Sequence, residues 1–240
     1  MQRLILSLTA ASLLGACAST GPKTYDFDEA RESVKVAVMP LDVEVTFAKI
    51  GARDVRADWT TQASQNLEAS LVNALKASGE QVVMYEGVGS IEKTKQLTLL
   101  QQHVAEAISS HVVLTDPAQY RGALPHKNGQ SQMTYSLGSG VQSIKAQTGA
   151  DYAAFLTNRT VVESGGSVFA KIAIGAVTGY APALSSFKGT NLSLVDLDTG
   201  EVKWVNSSVA ALGGDPRKAE NADKIVDSIL SKSPFKEEEK

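Results

Sequence analysis

The stretch from Asn191 to Ser208, Asn-Leu-Ser-Leu-Val-Asp-Leu-Asp-Thr-Gly-Glu-Val-Lys-Trp-Val-Asn-Ser-Ser, carries the clearest structural pattern in the chain. Asn191–Asp196 and Val202–Ser208 are typical of two strands. The loop between them, Asp198-Thr199-Gly200, offers glycine where a tight hairpin needs the left-handed conformation. Because side chains alternate along a strand, Val202 and Trp204 are expected on one face. The sequence therefore predicts a β-hairpin near its C-terminus.

The chain after this hairpin predicts one more helix. Asp215-Pro216 suits a helix start, with aspartate as the cap and proline in the first turn. The apolar side of this helix is formed by Ala219, Ala222, Val226, Ile229 and Leu230. Residues 233–240 follow as a solvated, disordered acidic tail.

The chain before the hairpin predicts a strand, a helix and a second strand. Val34–Leu41 favours a mostly buried strand, Asp58 can cap a helix over Trp59–Ser78 that Gly79 ends, and Gln81–Tyr85 suits a strand. The inward face of the helix is expected to hold Trp59, Ala63, Leu67, Leu71, Ala74 and Leu75.

The middle of the chain predicts a second long helix and a third strand. Ser90 can cap the helix, 115–133 is loop-rich, and a short helix near Leu137–Gln147 leads into the strand Tyr152–Val162. The residues expected to face inward on the long helix are Ile91, Leu99, Leu100, Val104, Ala107 and Ile108. This order of elements predicts an α/β fold: a mixed β-sheet covered by helices (an α/β sandwich), with a C-terminal hairpin and a final helix.

Three short motifs resemble a group of periplasmic lipoproteins. They are Val36-Ala37-Val38-Met39-Pro40, Gly149-Ala150-Asp151-Tyr152, and the hairpin from Leu194 to Trp204. The group includes the curli secretion lipoprotein CsgG and the penicillin-binding-protein activator LpoB, with a domain related to the N-terminal domain of TolB. The resemblance extends over Val34–Ile229 in layout and implies the same fold. None of its motifs is catalytic.

The segment Gly165–Ser186 departs from the rest of the domain because it is apolar and carries one charge, Lys171. A channel of the CsgG type needs long alternating strands, which this segment does not supply. Lys171 and Pro182 disfavour a transmembrane helix, although Gly175 and Gly179 have the spacing that lets membrane helices approach. A buried or partner-binding insertion and a membrane-surface contact both stay open. The candidate contact residues are Phe169, Ile172, Ile174, Val177 and Tyr180.

The N-terminus predicts a secretory signal over residues 1–16. Arg3 gives a positive start, and an uncharged stretch of about eleven residues is too short to span a bilayer. Leu14-Gly15-Ala16-Cys17 resembles the lipobox of bacterial lipoproteins. The resemblance implies cleavage between Ala16 and Cys17, and lipid on the Cys17 sulfur and amine, which would fix the protein stably to a membrane. The alternative is an ordinary signal peptide in which Cys17 is incidental.

The predicted domain boundaries follow from this anchor. Residues 17–33 show no hydrophobic period and are expected to form a flexible tether between the lipidated cysteine and an α/β domain over 34–232. Ala18, not aspartate, follows Cys17, which by resemblance to enterobacterial sorting suggests the periplasmic face of the outer membrane.

Composition excludes several classes of function. Without Arg3 the mature chain carries 26 acidic and 22 basic residues, a net charge of −4, so it lacks the basic excess of a nucleic-acid-binding protein. Its single cysteine excludes an internal disulfide and a cysteine-based zinc cluster.

The sequence lacks the motifs that would indicate a catalytic site, so we expect no enzyme. The phosphate-binding glycine loop and the Gly-x-Ser-x-Gly elbow are absent from the sequence, and His103, His111 and His126 do not have the spacing of metal ligands. Asp196 and Asp198 could serve as paired carboxylates, but beside a hairpin they are expected to stabilise the turn. Trp59 and Trp204 are expected in the core or at an interface. We expect no cofactor and no metal.

Three functions remain. The first is a lipid-anchored periplasmic interaction module, an accessory or assembly factor that docks an envelope complex such as a cell-wall synthase or secretion machinery. The second is a cell-envelope hydrolase with a cryptic site. The third is a structural homo-oligomer assembled through 165–186.

Overall fold

The structure, a computed structural model, describes residues 20–24, 33–49, 52–87, 91–108, 126–127, 130–131, 135–166, 188–209, 214–230 and 233–235. The strands in these ranges are β1 (Thr20–Thr24), β2 (Lys35–Val38), β3 (Asp42–Lys49), β4 (Ala52–Val55), β5 (Gln81–Met84), β6 (His126–Lys127), β7 (Gln130–Ser131), β8 (Tyr152–Glu163), β9 (Lys188–Asp196) and β10 (Val202–Val209). The helices are α1 (Ala57–Ala77), α2 (Ile91–Ile108), α3 (Gln142–Thr148) and α4 (Ala219–Leu230), with a 3-10 turn at Gly138–Val141 before α3.

One sheet contains all the strands except β6 and β7, which form a separate pair. Strand β8 lies at its centre and runs parallel to two strands on one side, first to β2 and then to β3. On the other side β9, β10 and β1 follow, each antiparallel to its neighbour. Strand β5 pairs in parallel with β2, and β4 pairs antiparallel with β3. The sheet is therefore mixed.

Helices cover both faces of this sheet. On one face Leu67 and Leu71 of α1 and Val226 of α4 pack with Leu156 and Leu194 of the sheet. On the other face α2, the 3-10 turn and α3 cover a second apolar cluster, in which Leu97 and Ile144 meet Phe155. Because each strand alternates its side chains between these layers, the central strands are apolar on both sides. The predicted α/β sandwich is confirmed.

The predicted common face of Val202 and Trp204 is wrong. Val202 pairs with Val195 and Trp204 pairs with Leu194, so Lys203 is an extra residue in β10. Such a β-bulge shifts the alternation by one residue. Val202 consequently packs under α2 and α3, whereas Trp204 is fully buried under α1 and α4.

Helix α1 matches its predicted extent and its inward face, apart from its start. It begins at Ala57, and its N-cap residue is Arg56, which makes no side-chain capping bond. Asp58, predicted as the cap, lies in the first turn and pairs with Arg56 at 2.8 Å. A carboxylate at this position still favours the positive end of the helix dipole.

The predicted inward face of α2 is wrong for two residues. Leu99 is 54% exposed and Leu100 is 42% exposed. The row that faces the sheet is Thr94, Leu97, Gln101, Ala105 and Ile108. Hydrophobic periodicity does not predict this face, because it includes the polar Gln101. The Gln101 side chain is buried and donates a hydrogen bond to Ser193 at 2.8 Å.

Helix α4 begins later than predicted. Asp215 lies in a turn in which its Oδ1 accepts a hydrogen bond from the Arg217 backbone N–H at 3.1 Å, and the helix starts at Ala219. Ala219 is exposed, whereas Ile225 joins the predicted buried residues of this helix.

Three short regions also differ from the predictions. Thr20–Thr24, inside the predicted flexible tether, is a strand on β10, because backbone pairing at a sheet edge needs no apolar side chains. Ser233 is buried and Phe235 packs on the core, although both belong to the predicted disordered tail. The hairpin of β3 and β4 was not predicted.

Candidate functional site

Four adjacent strands define one end of the sheet that we call the Thr20 end. There Thr160 of β8 pairs with Lys188, the first residue of β9, and Gly189 pairs with Val209, the last residue of β10. Thr20, the first residue of β1, pairs with Ser207 on the same half of β10. The opposite end, which we call the Asp198 end, is the turn between β9 and β10.

The predicted lipidation and cleavage residues come shortly before β1 in the sequence. Ala16 and Cys17 are outside the described residues, but the first residue of β1 comes only three positions after Cys17. Strand β1 runs from the Thr20 end towards the Asp198 end. The chain that precedes it therefore leaves the sheet at the Thr20 end.

The strands on either side of the predicted apolar insertion also reach the Thr20 end. Its candidate contact residues, Phe169, Ile172, Ile174, Val177 and Tyr180, lie outside the described residues. The strands that flank them are described. Strand β8 ends at Glu163 and β9 starts at Lys188, both at the Thr20 end. The topology thus brings both flanks of the insertion to the end at which the chain from Cys17 arrives.

An aromatic and cationic cluster lies where α1 begins beside β3. Two guanidinium groups contact the indole of Trp59, with the Arg56 Cζ 4.4 Å and the Arg217 Cζ 3.7 Å from the ring centroid. Phe47 of β3 meets the same indole edge-on at 5.3 Å. Such contacts are each worth about 0.5–1 kcal/mol or more when partly desolvated.

Each cation of this cluster is paired with a carboxylate. Arg56 binds Asp58 at 2.8 Å, and the Arg217 Nε lies 2.9 Å from the Asp215 carboxylate. The hydrogen bond from Arg56 holds the pKa of Asp58 below its ordinary value. Because a carboxylate already neutralises each guanidinium, the two arginines do not form a site for an anion. Their role here is to stack on Trp59 and join three segments.

Sequence reasoning singled out Trp59 but missed its partners. Arg56 is three residues away, so a local pairing with the indole was readable from the spacing. Phe47 belongs to an unpredicted strand, and Arg217 comes from the turn before α4. Trp204, the other tryptophan, is a core residue.

The Asp198 end is closed by its own turn residues, as the sequence predicts. The Asp196 Oδ1 accepts hydrogen bonds from the backbone N–H of Asp198 at 2.8 Å and of Thr199 at 2.9 Å. Asp198 points outward and binds the Lys145 Nζ at 2.6 Å. The two carboxylates are therefore engaged in structure and do not converge on a common point.

Lys203, the extra residue of the bulge, also has a shifted pKa. Burial lowers its pKa, but the hydrogen bond from its Nζ to Glu201 at 2.6 Å and the charges of Glu201 and Asp196 outweigh burial. The pKa of Lys203 is consequently above its ordinary value, and the ammonium stays charged.

The histidines do not come together in the described part of the chain. His103 is exposed on α2 and lies 3.7 Å from Glu106. His111 is outside the described residues, and of His126 only the backbone strand is described. Across the described ranges no group of three histidine, cysteine, aspartate or glutamate side chains is arranged to hold a metal.

Two buried polar contacts in the sheet were not predicted. Asn158 donates a hydrogen bond to Thr190 at 2.8 Å, and Asn206 donates one to the Ile229 carbonyl at the end of α4 at 2.7 Å. These contacts satisfy groups that would otherwise be buried unpaired. They position β8 on β9 and α4 on β10, so they serve the fold.

The fold is a mixed α/β sandwich with an N-terminal strand on one edge. None of the helices in the described ranges is both long enough and apolar enough to cross a membrane. A scan against protein-family models and a search of curated proteins give no match.

Solved structures give low-identity similarities. The PelC dodecamer from Paraburkholderia phytofirmans is 12% identical with a TM-score of 0.36, over 90% of this chain and 96% of that chain. The LpoB C-terminal domain from Salmonella enterica is 13% identical with a TM-score of 0.28, over 74% and 82%. A lipoprotein from Neisseria meningitidis is 11% identical with a TM-score of 0.30, over 72% and 79%. LpoB belongs to the group that the sequence resembles, while the resemblance to CsgG and TolB stays a prediction.

Proposed function

We propose that this chain is a lipid-anchored, non-catalytic interaction module of the periplasm, which docks an envelope complex such as a cell-wall synthase or secretion machinery. The observation that carries the proposal is the position of its single cysteine. Cys17 follows Leu14-Gly15-Ala16 and comes three residues before the first strand of the sheet. A chain with one cysteine, placed at the one position where a lipobox requires it, is suited to carry lipid there.

The chemistry of the described residues supports a role in binding. The carboxylates of Asp196 and Asp198 stabilise a turn, and His103 is exposed and faces one glutamate. An acid–base pair would need groups within hydrogen-bonding reach of one reacting atom. The candidate catalytic residues of the described chain do not have that arrangement.

The partner contact in this proposal is made by the apolar insertion. Contiguous apolar residues need a cover, and Phe169, Ile172, Ile174, Val177 and Tyr180 supply five large ones. Both flanks of the insertion lie at the Thr20 end, close in the chain topology to the anchor. A partner bound there would be an envelope protein that is itself at the membrane.

The anchor is tested by intact-mass analysis of the mature protein and of Cys17→Ser. We expect the native chain to start at Cys17 with a diacylglyceryl group and an amide-linked acyl chain, and Cys17→Ser to lose both and to leave the membrane fraction. A native chain that starts elsewhere, or starts at Cys17 with a free thiol, would overturn the anchor.

The matched control is Ala18→Asp, which keeps the cysteine and its lipid. In an enterobacterial host this variant should have the same lipid mass but move to the inner membrane. If it stays where the native protein is found, the proposed outer-membrane location is wrong while the anchor stands.

The partner contact is tested by placing a photo-crosslinking amino acid at Phe169, at Tyr180 and, as control, at Asp198. We expect an envelope protein joined to the first two positions and not to the third, with loss of that product when 165–186 is deleted. Equal products from all three positions, or none from Phe169 and Tyr180, would contradict docking through the insertion.

A further inference from the structure

The first strand of the sheet starts almost immediately after the proposed lipid anchor. Ala18 and Ser19 alone separate Cys17 from Thr20. A fully extended chain gains at most about 3.6 Å per residue, so the Cys17 backbone lies within about 11 Å of Thr20. A tether of the predicted length, 17–33, could have held the sheet far from the membrane. Because β1 is paired with β10, the distance between Cys17 and the sheet is limited by the two residues that precede Thr20.

The direction of β1 fixes which part of the sheet is near the anchor. Thr20 pairs with Ser207 and Thr24 pairs with Trp204, so β1 runs away from the Thr20 end. Gly189 pairs with Val209, and Lys188 precedes Gly189. Lys188 therefore lies at the same end of the sheet as Thr20, two strands away, or about 10 Å across the sheet.

The same register carries the Asp198 end far from the anchor. From Lys188 to Asp196 strand β9 rises about 3.4 Å per residue, and the turn continues beyond it. The Asp198 side chain is 65% exposed at this far end. It lies roughly 30 Å from Lys188 along the strand direction.

We propose that the Thr20 end of the sheet is held against the lipid headgroups of the bilayer, with β9 and β10 leading away from the membrane and the Asp198 turn facing the aqueous space. The proposal rests on the lipid at Cys17 that the proposed function assigns. The contact is between the first residues of β9, the last residues of β10 and the phospholipid headgroup layer. A domain on a slack tether would have no such orientation.

The test uses the full-length lipidated protein in vesicles of phosphatidylethanolamine and phosphatidylglycerol. Because the sulfur of Cys17 is blocked by lipid, a newly introduced cysteine is the single free thiol. Lys188→Cys and Asp198→Cys are each labelled with a small fluorophore, and a fraction of the lipids carries a short-range nitroxide quencher on the headgroup. We expect loss of most of the fluorescence at position 188 and no loss at position 198.

A third sample makes the short linker itself the variable. Lys188→Cys with ten glycine and serine residues inserted after Ser19 should keep the lipid mass and the circular dichroism of the parent but escape most of the quenching. Equal quenching at 188 and 198, or no effect of the insertion, would overturn the orientation. If the mass shows no lipid on Cys17, the proposed function fails as well. If the lipid is present and 188 is not quenched, the orientation alone fails.

Discussion

The Asp198 end and the Thr20 end belong to the same strands, yet different kinds of contact hold them together. At the Asp198 end the turn is closed by its own residues, with the Asp196 carboxylate accepting two backbone N–H groups and Gly200 taking a φ of 75°. Near the Thr20 end Trp59 joins Phe47, Arg56 and Arg217, which come from three separate segments. Local hydrogen bonds make the first end readable from sequence. The cluster around Trp59 forms only when the chain has folded, because it joins residues that are far apart in the sequence.

Gly200→Ala should have the largest effect on stability, because it strains the turn at the Asp198 end and also its close packing against the 3-10 turn at Gly138. A Cβ at Gly200 would overlap the Gly138 carbonyl and lie 3.0 Å from the Gly138 nitrogen, at a φ of +75°. We expect a loss of about 3–5 kcal/mol in the free energy of unfolding, measured by thermal or urea unfolding of the detergent-solubilised protein.

The control for this substitution is Gly79→Ala. Gly79 has a φ of +89°, but a Cβ at this position would meet nothing within 4 Å. Backbone strain alone should then cost about 1–2 kcal/mol. Equal losses for the two variants would mean that the contact between Gly200 and Gly138 does not matter.

Trp59→Ala should have the next largest effect, since it removes the centre of the non-local cluster. The partly buried indole packs on Phe47 and on two guanidinium groups, so we expect a loss of about 2–3 kcal/mol in unfolding free energy. Trp59→Phe keeps an aromatic ring for the same neighbours and should lose less than half as much. If both variants unfold like the native protein, the cluster does not stabilise this end.

Asp196→Ala should cost less, about 1–2 kcal/mol, because two hydrogen bonds to the turn are lost at a partly exposed site. Asp196→Asn retains an oxygen acceptor and should be close to the native protein. Asp198→Ala removes an exposed ion pair with Lys145 and should cost below about 1 kcal/mol. A larger loss for Asp198→Ala than for Asp196→Ala would contradict the assignment of the turn.

Lys203→Gln should show the smallest effect, and its size should depend on pH. The pKa of Lys203 is raised in the folded chain by Glu201 and Asp196 despite burial, so its charge stabilises the fold below the ordinary lysine pKa of about 10.4. This contribution, below about 1 kcal/mol, is lost as pH rises through the folded-state pKa. The stability difference between native protein and variant should shrink above about pH 10. If the stability difference between the native protein and Lys203→Gln stays constant through this alkaline range, the charge of Lys203 does not stabilise the fold.

The sequence was sufficient for elements whose pattern is local. The hairpin of β9 and β10, helix α1 and the layered α/β arrangement follow from turn residues and periodicity. The face of α2 could not be read, because Gln101 is buried only through Ser193 on a distant strand, while the apolar Leu99 and Leu100 are exposed. Strand β1 contains Gly21, Pro22 and Lys23, and pairing through the backbone leaves no apolar pattern.

The candidate site divides in the same way. Cys17 is recognised from four adjacent residues, and its role stays a prediction. That the flanks of the insertion and the start of β1 meet at one end of the sheet depends on strand register, which fixes the positions of residues far apart in the chain. No local pattern contains that information.

The pairing of β1 with β10 also has a consequence for the order of folding. Among the described strands β1 is the first to be synthesised and its partner is the last, just as β2 has to wait for β8. Closing such long loops is entropically costly and makes folding slow. Strand β1 must therefore stay unpaired until the C-terminal hairpin is present and folded, and chaperones that protect exposed strand edges have that whole interval in which to act.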